Sequence, residues 1–256
     1  MISDSTATFN QLVIWVTQHR MVLLLMTCAG LGAAGAWLIA GIPFREHLLD
    51  APNERSSHSV PTPRGGGVGI LAAFIAAGLT LRIPTTFLFA AIFISAVSFY
   101  GDYFRLSVKF RFLAQLLTAL LFLFPLLPVL SAHSALSTFG PSPFIFFPIL
   151  LLIVLFLIGT ANFYNFMDGI NGIAGLTGVI AFGLLGGYTL YRPPPNDFQT
   201  ALSIVAICIA LACLGYLPFN MPRARVFMGD VGSILLGFVF AALVVMLARN
   251  YQDMVC

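Results

Sequence analysis

Charged side chains are scarce in this chain of 256 residues, at 8% of the total. Soluble globular domains carry about 25% charged residues, so the composition excludes an ordinary soluble domain. Hydrophobic residues make up 59%, which excludes intrinsic disorder because disordered chains are poor in such residues. The net charge of +3 is too small for a nucleic-acid-binding protein, so no nucleic-acid partner is expected. The composition therefore predicts a polytopic membrane protein.

Cysteine is also rare, with four residues in the chain. None of them has a Cys-x-x-Cys spacing or a nearby histidine cluster, which excludes a disulfide framework. Cys28, Cys208 and Cys213 lie inside apolar runs. We therefore expect them to be small buried hydrophobic side chains.

Long apolar runs dominate what remains, and a membrane-crossing helix needs about 20 such residues. We predict an all-α bundle of about eight spans that forms a single integral membrane domain over residues 1–256. The stretch 66–100 is too long for one span, and Arg82-Ile83-Pro84 divides it into two. The predicted spans are residues 21–41, 66–81, 86–100, 112–130, 144–161, 173–190, 201–218 and 231–248.

The N-terminal segment before the first span lacks the basic region of a secretory signal. Its residues Phe9, Leu12, Val13 and Val16 recur at helical spacing. This pattern predicts a short interfacial helix that leads into the first span.

Cations are unevenly distributed between the two sets of interhelix loops. One set comprises residues 42–65, 101–111, 162–172 and 219–230 and carries most of the cations. An excess of Lys and Arg marks cytoplasmic loops, so this set is predicted to be cytoplasmic and both termini are predicted to lie outside. Its cations are Arg45, Arg55, Arg64, Arg105, Lys109, Arg111, Arg223 and Arg225.

The first cytoplasmic loop ends in Arg64-Gly65-Gly66-Gly67, immediately before a predicted helix. A glycine-rich turn at a helix N-terminus can bind an anion through backbone N–H groups, and arginine suits phosphate. Glycines needed for helix packing and an arginine that sets topology explain the same pattern. Both interpretations stay open.

The second loop places Asp102 at the end of a helix, with Arg105, Lys109 and Arg111 following it. The alternative to a functional carboxylate is a topology-setting loop in which Asp102 pairs with Arg105.

The third loop, residues 162–172, has no Lys or Arg. Asn165 and Asp168 are three residues apart, so on a helical turn they share one face. A carboxylate at the membrane edge without a cation in its own loop needs a metal or an arginine from elsewhere. The alternative is an Asx-rich helix break.

The fourth loop ends in Gly229-Asp230 at the start of a helix. Asp230 is either an N-cap or a ligand for a hard cation that faces a phosphate. Single carboxylates in three loops, glycine-rich turns and an arginine excess together suggest Mg²⁺-assisted chemistry on a diphosphate. The residues by themselves do not identify the donor.

These loops resemble those of the polyprenyl-phosphate N-acetylhexosamine-1-phosphate transferases, the superfamily of glycosyltransferase family 4 type that includes the phospho-N-acetylmuramoyl-pentapeptide transferases. The matching stretches are 50–67, 101–111, 162–175 and 219–237, in the same order. The most specific strings are Asn-x-x-Asn-x-x-Asp-Gly from Asn162 and Arg-x-Phe-Met-Gly-Asp-x-Gly-Ser from Arg225. The loop 53–58 looks more like the O-antigen and enterobacterial common antigen initiators.

The resemblance implies transfer of N-acetylhexosamine 1-phosphate from a UDP-sugar to undecaprenyl or another polyprenyl phosphate, with release of UMP. This reaction initiates cell-envelope polysaccharide synthesis at the cytoplasmic face of the bacterial inner membrane. The cofactor implied is Mg²⁺, with Mn²⁺ as a substitute, and the partners are the two substrates and an optional second copy in a homodimer. The sugar is not specified.

The resemblance also implies site residues. Asp230 would be the metal ligand, Asp102, Asp168 and Asn165 the catalytic residues, and Phe227 the aromatic ring that stacks on uracil. Further substrate-binding candidates are Arg64, Gly65, Gly66, His58, Asn171 and Arg225.

Two departures from the family pattern keep an alternative open. Gly101 stands where the family usually has the first of two aspartates. The family also continues through further spans and a His-rich loop, whereas this sequence ends at Cys256. A shortened or impaired relative that binds polyprenyl phosphate or a partner enzyme is therefore the alternative. A transporter is disfavoured, because transporters place polar residues near the bilayer midplane.

Overall fold

The structure, a computed structural model, describes residues 2–41, 48–50, 61–128, 143–191 and 196–252. Within these ranges the chain forms eight α-helices and one pair of two-residue strands. The elements are α1 (Ile2–Gly41), β1 (Leu49–Asp50), β2 (Thr62–Pro63), α2 (Val68–Thr80), α3 (Thr85–Phe104), α4 (Val108–Leu123), α5 (Pro143–Met167), α6 (Ile173–Tyr191), α7 (Asp197–Asn220) and α8 (Asp230–Gln252).

The predicted all-α membrane bundle is confirmed. Seven of the helices in the described ranges are long and apolar enough to cross a membrane. Helix α2 is the exception, since its 13 residues rise only about 20 Å and a bilayer core is about 30 Å thick. The break before Pro84 occurs as expected, with Arg82 in a left-handed conformation between α2 and α3. The orientation of the N-terminus stays a prediction.

Helix α1 differs from the expected pair of segments. It runs through 40 residues without a break, and its apolar part is Gln18–Gly41. The chain between Phe9 and Met21 contains no glycine or proline. Nothing in the local sequence therefore favours a turn between a leading helix and the first span.

Helix α8 is the most buried of the long apolar helices. It packs mainly against α5 and α3, while α7 packs against α6 and α1. The three cysteines predicted to be buried are free thiols inside this bundle, which confirms that prediction.

Successive helices alternate in direction, so the described parts of the four loops predicted to be cytoplasmic lie at the same end of the bundle. The C-terminal ends of α3, α5 and α7 meet the N-terminal ends of α4, α6 and α8 there, as hydrogen bonds between these loops show. Strand β2 lies at the same end, and Arg64 directly after it forms a parallel bridge with Phe227. These strands were not predictable from the sequence, because two residues are too few to show the alternation of apolar and polar side chains that is typical of a strand.

The contact of α8 with α5 depends on Gly237. A Cβ atom at this position would lie 2.4 Å from Ala161 Cα and 2.4 Å from the Thr160 carbonyl oxygen. We expect Gly237→Ala to lower the free energy of unfolding by about 1–3 kcal/mol, because backbone atoms would have to move apart. The measurement is thermal unfolding of the purified protein in detergent.

Gly183→Ala is the matched control, because Gly183 also lies inside a helix and a Cβ there meets nothing within 4 Å. It should leave the unfolding temperature unchanged or raise it slightly, since alanine favours the helix. Equal destabilisation by the two substitutions would contradict the close approach of α8 to α5.

Candidate functional site

Carboxylates from distant loops meet at the N-terminus of α8. The Asp230 backbone N–H donates to Asp102 Oδ2 at 2.8 Å, although the two residues are 128 positions apart. The side chain of Asp102 is 4% exposed and that of Asp230 is 13% exposed. Two like charges held this close in a buried place need a cation between them or beside them.

Arg111, in the first turn of α4, supplies positive charge to both carboxylates. Its Nη1 atom forms an ion pair with Asp230 Oδ2 and lies 3.5 Å from Asp102 Oδ1. Its Nη2 atom donates to the Gly101 carbonyl oxygen at 2.8 Å. The partner of Asp102 is thus Arg111, where the alternative interpretation of the second loop expected Arg105.

Asn165 positions the other oxygen of Asp230. Its Nδ2 atom donates to Asp230 Oδ1 at 2.5 Å and lies 3.1 Å from Ser233 Oγ, one turn further along α8. The Ser233 hydroxyl in turn donates to the Gly229 carbonyl oxygen. Both oxygens of Asp230 are therefore occupied by donors, and its carboxylate is fixed in orientation.

Asp168 holds the backbone that leads into α8. Its Oδ1 atom accepts from the Met228 N–H at 3.1 Å and its Oδ2 atom from the Gly229 N–H at 2.7 Å. Gly229 has a φ of +72°, which favours glycine. Burial raises the pKa of Asp168 to about 7, and the two N–H donors and the charge of Arg64 oppose this effect only in part.

The glycine turn of the first loop packs against the fourth loop. Gly65 and Gly66 donate their N–H groups to the Phe227 carbonyl oxygen at 3.1 and 2.9 Å, and Gly67 donates to that of Met228. A Cβ at Gly67 would lie 2.4 Å from Gly232 Cα. These N–H groups thus bind the protein's own carbonyls, as the packing interpretation expects, and a role of Gly65 and Gly66 in substrate binding stays a prediction.

A cavity of about 70 Å³ lies beside the carboxylates. The Phe227 side chain lines it but is only 1% exposed, so uracil stacking on this ring stays a prediction that needs the ring to become accessible. The other lining residues are Arg64, Asn165, Asp168, Gly169, Gly229 and Asp230.

Two further candidates lie outside this cavity. Arg225 lines a separate cavity of about 480 Å³ together with Trp37, and its guanidinium lies 5.2 Å from the Phe219 ring centroid. Asn171 donates to the Pro222 carbonyl oxygen at 3.3 Å. His58 falls outside the described residues, so its predicted role has no structural counterpart here.

Sequence reasoning missed three residues that shape the site. In the sequence, Arg111 was interpreted only as a cation that sets the membrane topology, and Ser233 only as the last residue of the motif that begins at Arg225. Asn220 was not considered; it is buried, accepts from Gly172 N–H at 2.6 Å and donates to the Val226 carbonyl oxygen at 2.9 Å. One sequence feature could have identified Asn220 and Ser233 as site residues: each is a polar residue in the terminal turn of an apolar helix.

The residues fit a divalent metal ion in their chemistry. Asp102 Oδ1 is buried and makes no hydrogen bond within the described part of the chain. Carboxylate oxygens are the ligands that Mg²⁺ prefers, and Asp102 and Asp230 present them in one buried cluster. No three such side chains converge closely enough to form a complete ligand cluster among the residues that the structure describes.

Comparison with known proteins connects this geometry to a family. The model of "Glycosyl transferase family 4" matches residues 84–248, which include the second, third and fourth loops. The phospho-N-acetylmuramoyl-pentapeptide-transferase of Staphylococcus saprophyticus is 33% identical over 215 residues, covering 74% of this chain and 63% of that protein. The decaprenyl-phosphate N-acetylglucosaminephosphotransferase of Mycobacterium tuberculosis is 29% identical over 230 residues, which cover 75% of this chain and 51% of that protein.

The chain therefore spans between about half and under two thirds of the length of these relatives. The family match covers more than half of this chain and contains Asp102, Asp168 and Asp230. The chain is a multi-pass membrane protein that belongs to glycosyl transferase family 4.

Proposed function

We propose that the chain transfers N-acetylhexosamine 1-phosphate from a UDP-sugar to a polyprenyl phosphate. A phosphate oxygen of the acceptor attacks the β-phosphorus of the donor, and the bond from that phosphorus to the bridging oxygen breaks. The products are polyprenyl-diphosphate-sugar and UMP. The names of the relatives support this class, since one is a decaprenyl-phosphate N-acetylglucosaminephosphotransferase.

The observation that carries the proposal is that three aspartates from three loops lie around the backbone that begins α8, where Asp168 accepts from Met228 and Asp102 accepts from Asp230. Phosphoryl transfer depends mainly on positioning and charge neutralisation, and this cluster provides fixed charges of both signs. Because the cluster lies where helices end, it is at the level where a lipid phosphate at the membrane surface would meet a water-soluble donor.

Each residue has a defined task in this proposal. Asp230 and Asp102 would hold Mg²⁺ or Mn²⁺, which neutralises diphosphate charge when bound. Asn165 orients Asp230, and Asp168 fixes the backbone of Met228 and Gly229 next to it. Arg64, which lines the same cavity, adds positive charge beside the donor phosphates.

We further propose that the site faces the cytoplasm of a bacterial cell and that the membrane is the inner membrane. The excess of Lys and Arg in the four loops supports this orientation. A cytoplasmic UDP-sugar would then meet the membrane-bound acceptor at the site, and the product would enter cell-envelope polysaccharide synthesis.

The test is release of radiolabelled UMP from UDP-N-acetylglucosamine by the purified chain in detergent with undecaprenyl phosphate. We expect release that requires both the lipid phosphate and Mg²⁺. A panel of other UDP-N-acetylhexosamines identifies the donor. Folded protein that releases no UMP with any donor, alone or after C-terminal extension, would overturn the proposal.

A binding-only relative is the second candidate, and one contact favours it. Arg111 occupies an oxygen of Asp230 that the metal would use, while Gly101 replaces a carboxylate that the resemblance leads one to expect. Retention of labelled polyprenyl phosphate by the folded chain, without UMP release, would favour this candidate.

A further inference from the structure

We propose that Arg111 competes with the divalent cation for Asp230, so that the cation enters only when the guanidinium releases this carboxylate. The inference rests on the proposed function, because it assumes that Asp230 is the metal ligand. It adds a control element made from this chain's own residues, namely Arg111, Asp230 and the Gly101 carbonyl oxygen.

The contacts show why the two cations exclude each other. Arg111 Nη1 pairs with Asp230 Oδ2, and Asn165 Nδ2 occupies Oδ1 at 2.5 Å. A metal ion on Asp230 needs an oxygen that faces the cluster, and the oxygen on the Asp102 side carries the guanidinium. An arginine charge and a divalent ion on the same oxygen would also repel each other strongly at this burial.

Gly101 explains why Arg111 reaches Asp230. A Cβ atom at position 101 would lie 3.4 Å from Arg111 Nε and 3.6 Å from its Cζ. A carboxylate attached there would lie against the guanidinium and would attract it away from Asp230. Gly101 places no side chain there, and its backbone carbonyl oxygen accepts from Nη2 at 2.8 Å while Nη1 contacts Asp230.

The anchor also determines what Arg111 does after release. The Gly101 carbonyl oxygen can keep the guanidinium in the site while Nη1 turns away from Asp230. A guanidinium in that place can contact a phosphate oxygen of the substrate, for which its planar donors are well suited. The metal and the substrate phosphate would therefore enter together, each taking one partner of the original ion pair.

The competition predicts a measurable change in metal affinity. The apparent dissociation constant of a ligand rises in proportion as its binding-competent state becomes rarer. We expect Arg111→Gln to bind Mn²⁺ about tenfold more tightly than the wild type, measured by electron paramagnetic resonance of free Mn²⁺ with the purified chain and no substrate. The readout does not depend on turnover.

Lys109→Gln is the matched control. Lys109 lies in the same turn of α4, is exposed and carries the same charge. Its removal should change the Mn²⁺ affinity by less than about twofold, because exposed charges are screened by solvent and salt. An equal gain in the two variants would overturn the specific competition in favour of a general charge effect.

A double-mutant cycle in EDTA tests the ion pair without any metal. Arg111→Gln and Asp230→Asn should each lower the unfolding temperature, and the double variant should lose less than the sum of the two. Additive losses would contradict the pairing. Thermal unfolding curves also establish that each variant used for Mn²⁺ binding is folded.

The remaining outcomes separate this inference from the proposed function. Wild-type chain that binds Mn²⁺ and releases UMP, with an Arg111→Gln variant that binds Mn²⁺ equally or more weakly, overturns the competition alone. Absence of Mn²⁺ binding in both proteins overturns the metal assignment of Asp230 and the competition with it, whatever the UMP assay shows.

Discussion

Replacing Asp230 with alanine is expected to abolish metal-dependent UMP release while the protein stays folded and inserted. The substitution removes the carboxylate that Asn165 and Arg111 orient, but it keeps the backbone N–H that donates to Asp102. A bound divalent ion contributes several kcal/mol of charge stabilisation, so the rate should fall at least about a thousandfold. Initial rates at saturating Mg²⁺, together with Mn²⁺ binding, provide the measurement.

Asp197→Ala is a closely matched control for this substitution. Asp197 is also the first residue of a long apolar helix, α7, and its removal costs the same favourable charge at a helix N-terminus. It lies at the opposite end of the bundle, so UMP release should stay within about twofold of wild type. Full activity of Asp230→Ala would remove the metal assignment.

Replacing Asp168 with asparagine is expected to lower the rate by about a hundredfold or more. One carboxylate oxygen would become an amide nitrogen that cannot accept the N–H of Met228 or Gly229, and a buried N–H left without an acceptor costs about 1–3 kcal/mol. The backbone before Asp230 would then lose its support, and a displacement of about 1 Å can cost a hundredfold in rate.

Two comparisons separate this effect from general damage. Asp197→Asn makes the same chemical change at an exposed carboxylate outside the site and should have almost no effect on rate or unfolding temperature. Mn²⁺ affinity should fall together with the rate in Asp168→Asn, because Asp230 would be misplaced. Wild-type rate and affinity in that variant would show that the support by Asp168 is dispensable.

The helices could be predicted because the information for them is local. An apolar run of about 20 residues has few stable alternatives in a bilayer, and Pro84 marks the break between α2 and α3 directly. The ends were less accurate: α3 continues to Phe104, beyond the expected end at residue 100, and α5 continues to Met167, beyond residue 161. Asp102, Asn162 and Asn165 interrupt the apolar runs in these last turns, so the hydropathy pattern ended before them although the backbone stays helical.

The candidate site was predictable in its composition and less so in its contacts. Asp102, Asn165, Asp168 and Asp230 stand out because polar residues at the ends of apolar helices are rare, and the structure brings all four together. The partner of each was not predictable. Hydrogen bonds between residues 60 to 128 positions apart depend on how the helices pack, and no local pattern records that.

The sequence by itself determined that this protein is a helical membrane bundle, which of its loops contain the carboxylates, and to which family it belongs. Those properties follow from the hydrophobicity of continuous segments and from short motifs, and both can be recognised in short stretches of sequence. Only the tertiary structure decided that the Gly65 and Gly66 amides bind the fourth loop, that the Phe227 ring is buried, and that Arg111 pairs with Asp230. These contacts arise where separate helices end side by side, because the choice of partner there depends on distance and burial in three dimensions.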